Sequence, residues 1–447
     1  MKWPGKNFCA IVKYLMNTNI QRSTTEIGFR IYLLMVVFSV FYLYRADVWG
    51  INISLFRIAL LVTFVCTVFG LLLKRIRTYR THLVLYFFIF ADLVLSGIDV
   101  IRSQNNSLIL KVIASHVLAM GVLWVSVLQL CTESRVLKAV KWYIFSSAVA
   151  AAITIYTLVT GQLPFPQFVV NLAGTNISLT TLPAKFLGVI PRATAAFYDP
   201  TFYGVFLCIC LCFAAFYKAW MKRSLLLNIL IIVNIVMLIA TLSRTAWIGA
   251  FVLAVFVCIY RSRWRFYFVA AGTLSLAVIV GLVLSIEIFG VQDFGRVADV
   301  ISLKSLEARE MYWNAGVSEF FAHPVSGGGS DELGKMVGGT PSAHIAYLSW
   351  LAKYGIIGFL VYCAFVFYPI TYALFKRSLQ VRYRFLILGV MVPMAVMYFG
   401  YDFFDNLDIE YLAFGIVYAI IVNRIGCSVD TALASPAKSV SKYSLSS

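Results

Sequence analysis

Apolar residues come along this chain in long runs separated by short polar connections. The runs fall at about 27–44, 52–73, 82–100, 109–131, 139–160, 195–217, 224–241, 245–261, 264–289, 344–372, 383–401 and 409–424. A run of about 18–25 apolar residues is long enough to cross a bilayer as a helix. The pattern therefore predicts an all-α, polytopic integral membrane protein with about twelve transmembrane helices. Two connections are long and polar, 161–194 and 290–343, and the second lies between the ninth and tenth spans. Loops of that length in compact proteins usually carry function. Within the second, Leu303 to Phe321 is expected to form an amphipathic helix, with Leu306, Arg309, Trp313, Gly316 and Phe320 along one side.

Composition agrees with that reading. Of 447 residues, 61% are hydrophobic and 13% charged, where a soluble domain has about a quarter charged. The chain divides into an N-terminal cytoplasmic or interfacial segment, 1–26, a helical bundle, 27–427, and a serine-rich tail, 428–447, expected to be disordered. An apolar patch at Phe8–Met16 is expected to lie on the membrane surface. The first run lacks a small-residue cleavage site and should remain as a helix. The nine cysteines show no metal-site spacing and sit in apolar runs or basic terminal segments, so neither a disulfide framework, a metal nor a cofactor is expected.

The net charge of +18 does not imply nucleic acid, because lysine and arginine in a polytopic protein collect in cytoplasmic loops. Here every second connection is basic: KRIRTYR (74–80), ESRVLKAVK (133–141), YKAWMKRS (217–224), RSRWR (261–265) and FKRSLQVRYR (375–384). The alternate ones are poorer in base or acidic, as in YDFFDNLDIE (401–410). Both termini are therefore expected in the cytoplasm and both long loops on the far side of the membrane.

Three arginines break this rule. Arg192 in PRATAAFYDPTFYG, Arg244 in TLSRTAW and Arg309 on the loop helix all fall on the translocated side. Guanidinium groups are permanently charged and grip phosphate bidentately, so an anionic ligand would explain them. The alternative is that each pairs with a nearby acid (Asp199, Asp331, Glu307 or Glu310) or reaches lipid headgroups with an apolar stem. His344, where the loop turns into an apolar helix running past Gly358, could titrate near neutral pH while facing water. Its bland reading is an interfacial histidine bonded to a carbonyl. His323 is expected to shape a turn, and Gly327–Gly329 offers backbone N–H groups that could cradle a phosphate. Glu307, Glu310 and Glu319 are rival bases, though a water-exposed carboxylate is a poor base at neutrality. Asp199 is expected to orient or cap the following helix, and Cys208 with Cys212 share a packing face. Arg57, Asp92 and His116, within apolar runs, should face the interior.

The combination AFYDPTFYG after Arg192, LSRTAW (242–247), AREMYWNAGVSEFFAHPVSGGG (308–329) and His344-x10-GIIG (344–358) resembles the O-antigen ligase/polymerase family over about 190–360. The resemblance implies metal-independent glycosyl transfer on the periplasmic face of the bacterial inner membrane. Its donors would be saccharides linked to undecaprenyl pyrophosphate. It implies pyrophosphate contacts for Arg192, Arg244 and Arg309, action at the acceptor hydroxyl for His344, and support from Asp199, Glu310 and His323. Membrane lipids, a chain-length regulator and a flippase are the partners it implies. In the ligase pattern Asn, Ser or Gln usually follows the histidine; Ile345 here favours a polymerase over a ligase. A transporter or flippase of lipid-linked sugars is the rival from another class, with ionisable residues nearer the midplane.

Overall fold

In a computed structural model the described residues are 20–41, 45–48, 51–72, 81–102, 106–160, 169–172, 175–178, 193, 195, 197, 199–221, 224–241, 243–260, 304–336, 342–343, 345–400 and 407–427. The helices among them are α1 (Ile20–Phe38), α2 (Leu55–Leu72), α3 (His82–Arg102), α4 (Asn106–Gln129), α5 (Glu133–Thr160), α6 (Pro200–Trp220), α7 (Leu225–Ala240), α8 (Arg244–Tyr260), α9 (Lys304–Ala322), α10 (Gly329–Met336), α11 (Ala346–Phe375), α12 (Val381–Met397) and α13 (Leu407–Val422). Eleven of these helices overlie predicted spans. The run at 264–289, the patch at Phe8–Met16 and the tail lie outside the described residues. By length and composition, five described helices can cross a membrane: Leu55–Leu72, His82–Arg102, Glu133–Thr157, Pro200–Trp220 and Ala346–Phe375. The helices Leu225–Ala240, Arg244–Tyr260 and Glu410–Val422 are apolar but shorter.

The apolar pattern did not predict two small hairpins. Arg45–Val48 pairs with Ile51–Ser54, and Val169–Leu172 with Thr175–Ser178, both antiparallel. The strands Arg45–Val48 and Thr175–Ser178 lie side by side. The first hairpin takes residues that the hydrophobic run would have given to a longer α2.

Helix surroundings follow composition. The segment of α13 from Tyr411 to Val422 is apolar all round and buried throughout, packed by α4, α5, α11 and α12. Many serines and threonines in the described spans return their hydroxyls to their own helix, as Thr63 does to the Ala59 carbonyl and Thr157 to that of Ile153, which satisfies those hydroxyls without water. On the outside, α2 and α3 expose Leu61, Phe69 and Phe90, a surface suited to lipid rather than water.

The two ends of the bundle differ. At one, the first turns of α5 and α12 meet the second and third turns of α1: Arg382 lies 2.8 Å from Glu133, Arg135 lies 3.7 Å from Glu26, and the Arg135 guanidinium sits over the Phe29 ring. This is the end of the basic connections. At the other, the first turns of α6, α8 and α11 gather, with the candidate site.

One span departs from expectation. The helix after residue 344 does not run straight past Gly358. It breaks at Gly355, which adopts φ 63° and ψ −163°, a region open essentially to glycine alone. The part before the break is a short separate helix. The part after it, 356–375, is about 30 Å long at 1.5 Å per residue. A Cβ on Gly355 would sit 2.3 Å from the Val325 carbonyl oxygen, so the break is where the turn after α9 docks.

Candidate functional site

Asp199 begins the site. It caps α6, its carboxylate accepting the Thr201 N–H at 2.5 Å, with Pro200 in the first turn where its missing N–H costs nothing. The capping role expected of it is borne out. Close by, Gly204 lets α6 approach α8: a Cβ there would meet the Ala246 Cβ at 2.3 Å. That contact brings the start of α8, and so Arg244, beside Asp199. The Ala193 N–H donates to the Ala240 carbonyl at 2.9 Å, tying the chain before α6 to the end of α7.

The turn after α12 braces two elements at once. The Tyr398 carbonyl accepts the Ala346 N–H at 3.0 Å, and the Gly400 carbonyl accepts the Thr245 hydroxyl at 3.0 Å. The Tyr347 hydroxyl donates to the Ala395 carbonyl at 2.9 Å. Ala343 is buried and its N–H donates to the Ser349 hydroxyl. The chain just after position 344 is therefore held from the same turn that holds the start of α8, and Ala343 just before it is held by α11 itself.

The loop helix closes the site from above. It forms as expected, from Lys304 to Ala322, with Gly316 buried. A Cβ on Gly316 would fall about 3 Å from Ala343 and Leu348, so α9 lies directly over the start of α11. Arg309, half-buried on this helix, feels both Arg244 and Asp199. Burial first, and then repulsion from Arg244, weaken its hold on its proton, while Asp199 works in the opposite sense. Two guanidinium groups held against this repulsion, beside the positive ends of α6 and α8, favour an anion between them.

Of the residues singled out from sequence, Arg244, Arg309 and Asp199 come together here. Arg192 and His344, and the side chain of Glu307, lie outside the described residues. Glu310 is exposed on α9. His323 is exposed in the turn after α9, its carbonyl accepting the Gly327 N–H, which is the turn-shaping role. Two expectations need correcting. Glu319 is not water-exposed; it is buried under Gly328, and burial raises its pKa, with His323 opposing and Glu332 adding to the rise. The glycine run is not an open cradle, because the Gly327 N–H is spent on His323 and the Gly328 N–H on the Ala352 carbonyl. Asp92 and His116 face inward as expected, and they do so as a pair, His116 Nδ1 lying 3.0 Å from the Asp92 carboxylate.

Fold and site together define a multi-pass helical membrane protein with arginines gathered at one end. A family model described as O-antigen ligase matches residues 227–363, which supports assigning the chain to the O-antigen ligase/polymerase family. The matched stretch holds Arg244, Arg309 and His344; Arg192 and Asp199 precede it. No curated protein matches the chain.

Proposed function

We propose that this protein polymerises saccharide repeat units carried on undecaprenyl pyrophosphate, at the periplasmic face of the bacterial inner membrane. The family points to a glycosyl-transferring enzyme acting on lipid-linked saccharides. The observation that carries the reading further is Arg309 lying half-buried beside Arg244 at the end of the bundle away from the basic connections. That charge distribution supports cytoplasmic termini and a periplasmic site.

The chemistry follows from the charges. The acceptor hydroxyl of one lipid-linked unit attacks the anomeric carbon of another, and the sugar–pyrophosphate bond breaks. Negative charge then grows on the departing pyrophosphate, where Arg244 and Arg309, with Arg192, stabilise it. The hydroxyl proton passes to the imidazole of His344, a step that contributes on the order of 10²–10⁴ in rate. Asp199 keeps the arginines oriented. No metal enters this scheme. Ile345 after the histidine favours polymerase, and the family description, O-antigen ligase, keeps transfer of the finished chain to lipid A–core as the second reading.

A lipopolysaccharide gel of a deletion strain complemented with the parent or with His344→Ala distinguishes them. Core carrying a single unit, with the ladder gone, is the expected result for both deletion and variant. Bare core with long polymer left on the lipid carrier would mean ligase. Repeat units accumulating in the cytoplasmic leaflet would mean a flippase. A normal ladder from His344→Ala, at normal protein level, would remove histidine from the mechanism.

A further inference from the structure

A second polar cluster is buried among the spans, apart from the arginines. Asp99, at the site end of α3, is 3% exposed and has both carboxylate oxygens engaged by one residue: Oδ1 accepts the Ser330 N–H at 2.7 Å and Oδ2 its hydroxyl at 2.5 Å. One turn on, Arg102 Nη1 donates to the carbonyls of Ser326 and Gly327, at 2.9 and 2.7 Å. Behind Asp99, the Tyr354 hydroxyl also bonds Asp99 and lies 3.5 Å from His116 Nε2, whose Nδ1 is the partner of Asp92. Ser330 opens α10. One turn later Leu333, fully buried, packs with Tyr312 and Ala315 of α9 and Ala352 of α11. Tyr312 is one turn from Arg309. A carboxylate on a span thus holds a short helix, and that helix holds the one bearing Arg309.

This arrangement answers a problem the site creates. Arg309 is partly desolvated and repelled by Arg244, which Asp199 offsets only in part, so α9 has to be held in place by its packing. The packing of Leu333 against Tyr312 and Ala315 is apolar and by itself resists a sideways slide weakly. A charge-assisted, two-point clasp is roughly twice as strong per bond as a neutral one and fixes direction as well as distance. We propose that Asp99 and Ser330 are positioning residues that set Arg309 against Arg244, acting through α10. The inference rests on reading Arg309 as a pyrophosphate-binding residue.

The test is binding of inorganic pyrophosphate to the purified full-length protein by calorimetry, in a cycle of Ser330→Ala, Arg309→Lys and the double variant. Ser330→Ala deletes one hydroxyl and keeps the backbone bond, so the chain should still assemble; Asp99→Asn is the stronger companion. Ser330→Ala is expected to weaken binding by about ten- to a hundredfold, the scale of a displacement near 1 Å. It should do so in the parent and not in Arg309→Lys, because residues in one coupled unit are not additive. Ser330→Thr, which retains the hydroxyl, should restore binding. Ser330→Ala binding like the parent, or weakening both backgrounds equally, would overturn the positioning role and leave Arg309 untouched. Arg309→Lys binding like the parent would instead sink the pyrophosphate reading, and the proposal with it.

Discussion

Replacing Gly355 by alanine tests how firmly the break in α11 is written into the fold. At φ 63° and ψ −163° a residue with a Cβ is strained by about 1–3 kcal/mol. The new methyl would also sit 2.3 Å from the Val325 carbonyl oxygen, a contact no side-chain rotation can relieve, since both partners are fixed to backbone. Moving the turn away endangers the Ile356 N–H bond to Pro324 and the Gly328 N–H bond to Ala352, at about 1 kcal/mol each. The sum is about 3 kcal/mol or more, concentrated where the loop meets the span. Gly97 makes the control: a Cβ there meets nothing within 4 Å, and glycine to alanine inside a helix gains about 0.5–1 kcal/mol. The assay is thermal unfolding in detergent followed with a thiol-reactive fluorophore after the accessible thiols, exposed Cys131 among them, have been blocked in the folded protein, so that the signal reports exposure of Cys208, Cys210 and Cys212, all buried in α6. Gly355→Ala should unfold at clearly lower temperature than the parent, and Gly97→Ala at the same temperature or higher. Equal unfolding of Gly355→Ala and parent would refute the argument that α11 is broken by necessity at this residue.

Two further outcomes are expected. Arg244→Lys should elongate polymer far more slowly at normal protein level, because a point charge replaces a bidentate fork; parental ladders on a gel would make Arg244 an anchor only. Glu319 has its pKa raised by burial, so the folded state holds its proton more tightly than the unfolded chain, and ionising it costs stability as pH rises through the carboxylate range. Glu319→Gln should therefore unfold at a temperature equal to or above the parent at pH 8, with the gap shrinking toward pH 5. A variant less stable at pH 8 would mean that the charge itself is needed, as a partner for His323 3.8 Å away.

Much of this was legible in the sequence because it depends on local composition. Span positions follow run length, and Arg244 and Arg309 stand out by violating a charge rule that counts residues loop by loop. What escaped depends on partners far along the chain. Asp99 and Ser330 are 231 residues apart, and nothing local marks Asp99 as a clasp rather than a helix-end carboxylate. Glu319 reads as a polar loop residue until Gly328 is folded over it. The break at Gly355 is hidden in an unbroken apolar pattern, where GIIG looks like more of the same helix. The hairpin at 45–54 borrows β-branched residues that a hydrophobic run counts equally toward a span.

The turn at Tyr398–Gly400 gives the molecule a timetable. It braces Thr245, yet 155 residues separate Thr245 from Gly400, so the support arrives long after the residue it supports. At about 5–20 residues per second, synthesis leaves Arg244 in the membrane without that support for on the order of ten seconds. Until then the start of α11 lacks its Tyr398 bond as well. A ribosome that stops before α12 is complete would release a chain with most of its spans inserted, and Arg192, Arg244 and Arg309 all made, but without the turn that braces the starts of α8 and α11. Quality control of this protein in the cell is thus a question of its last hundred residues, where none of the proposed chemistry resides.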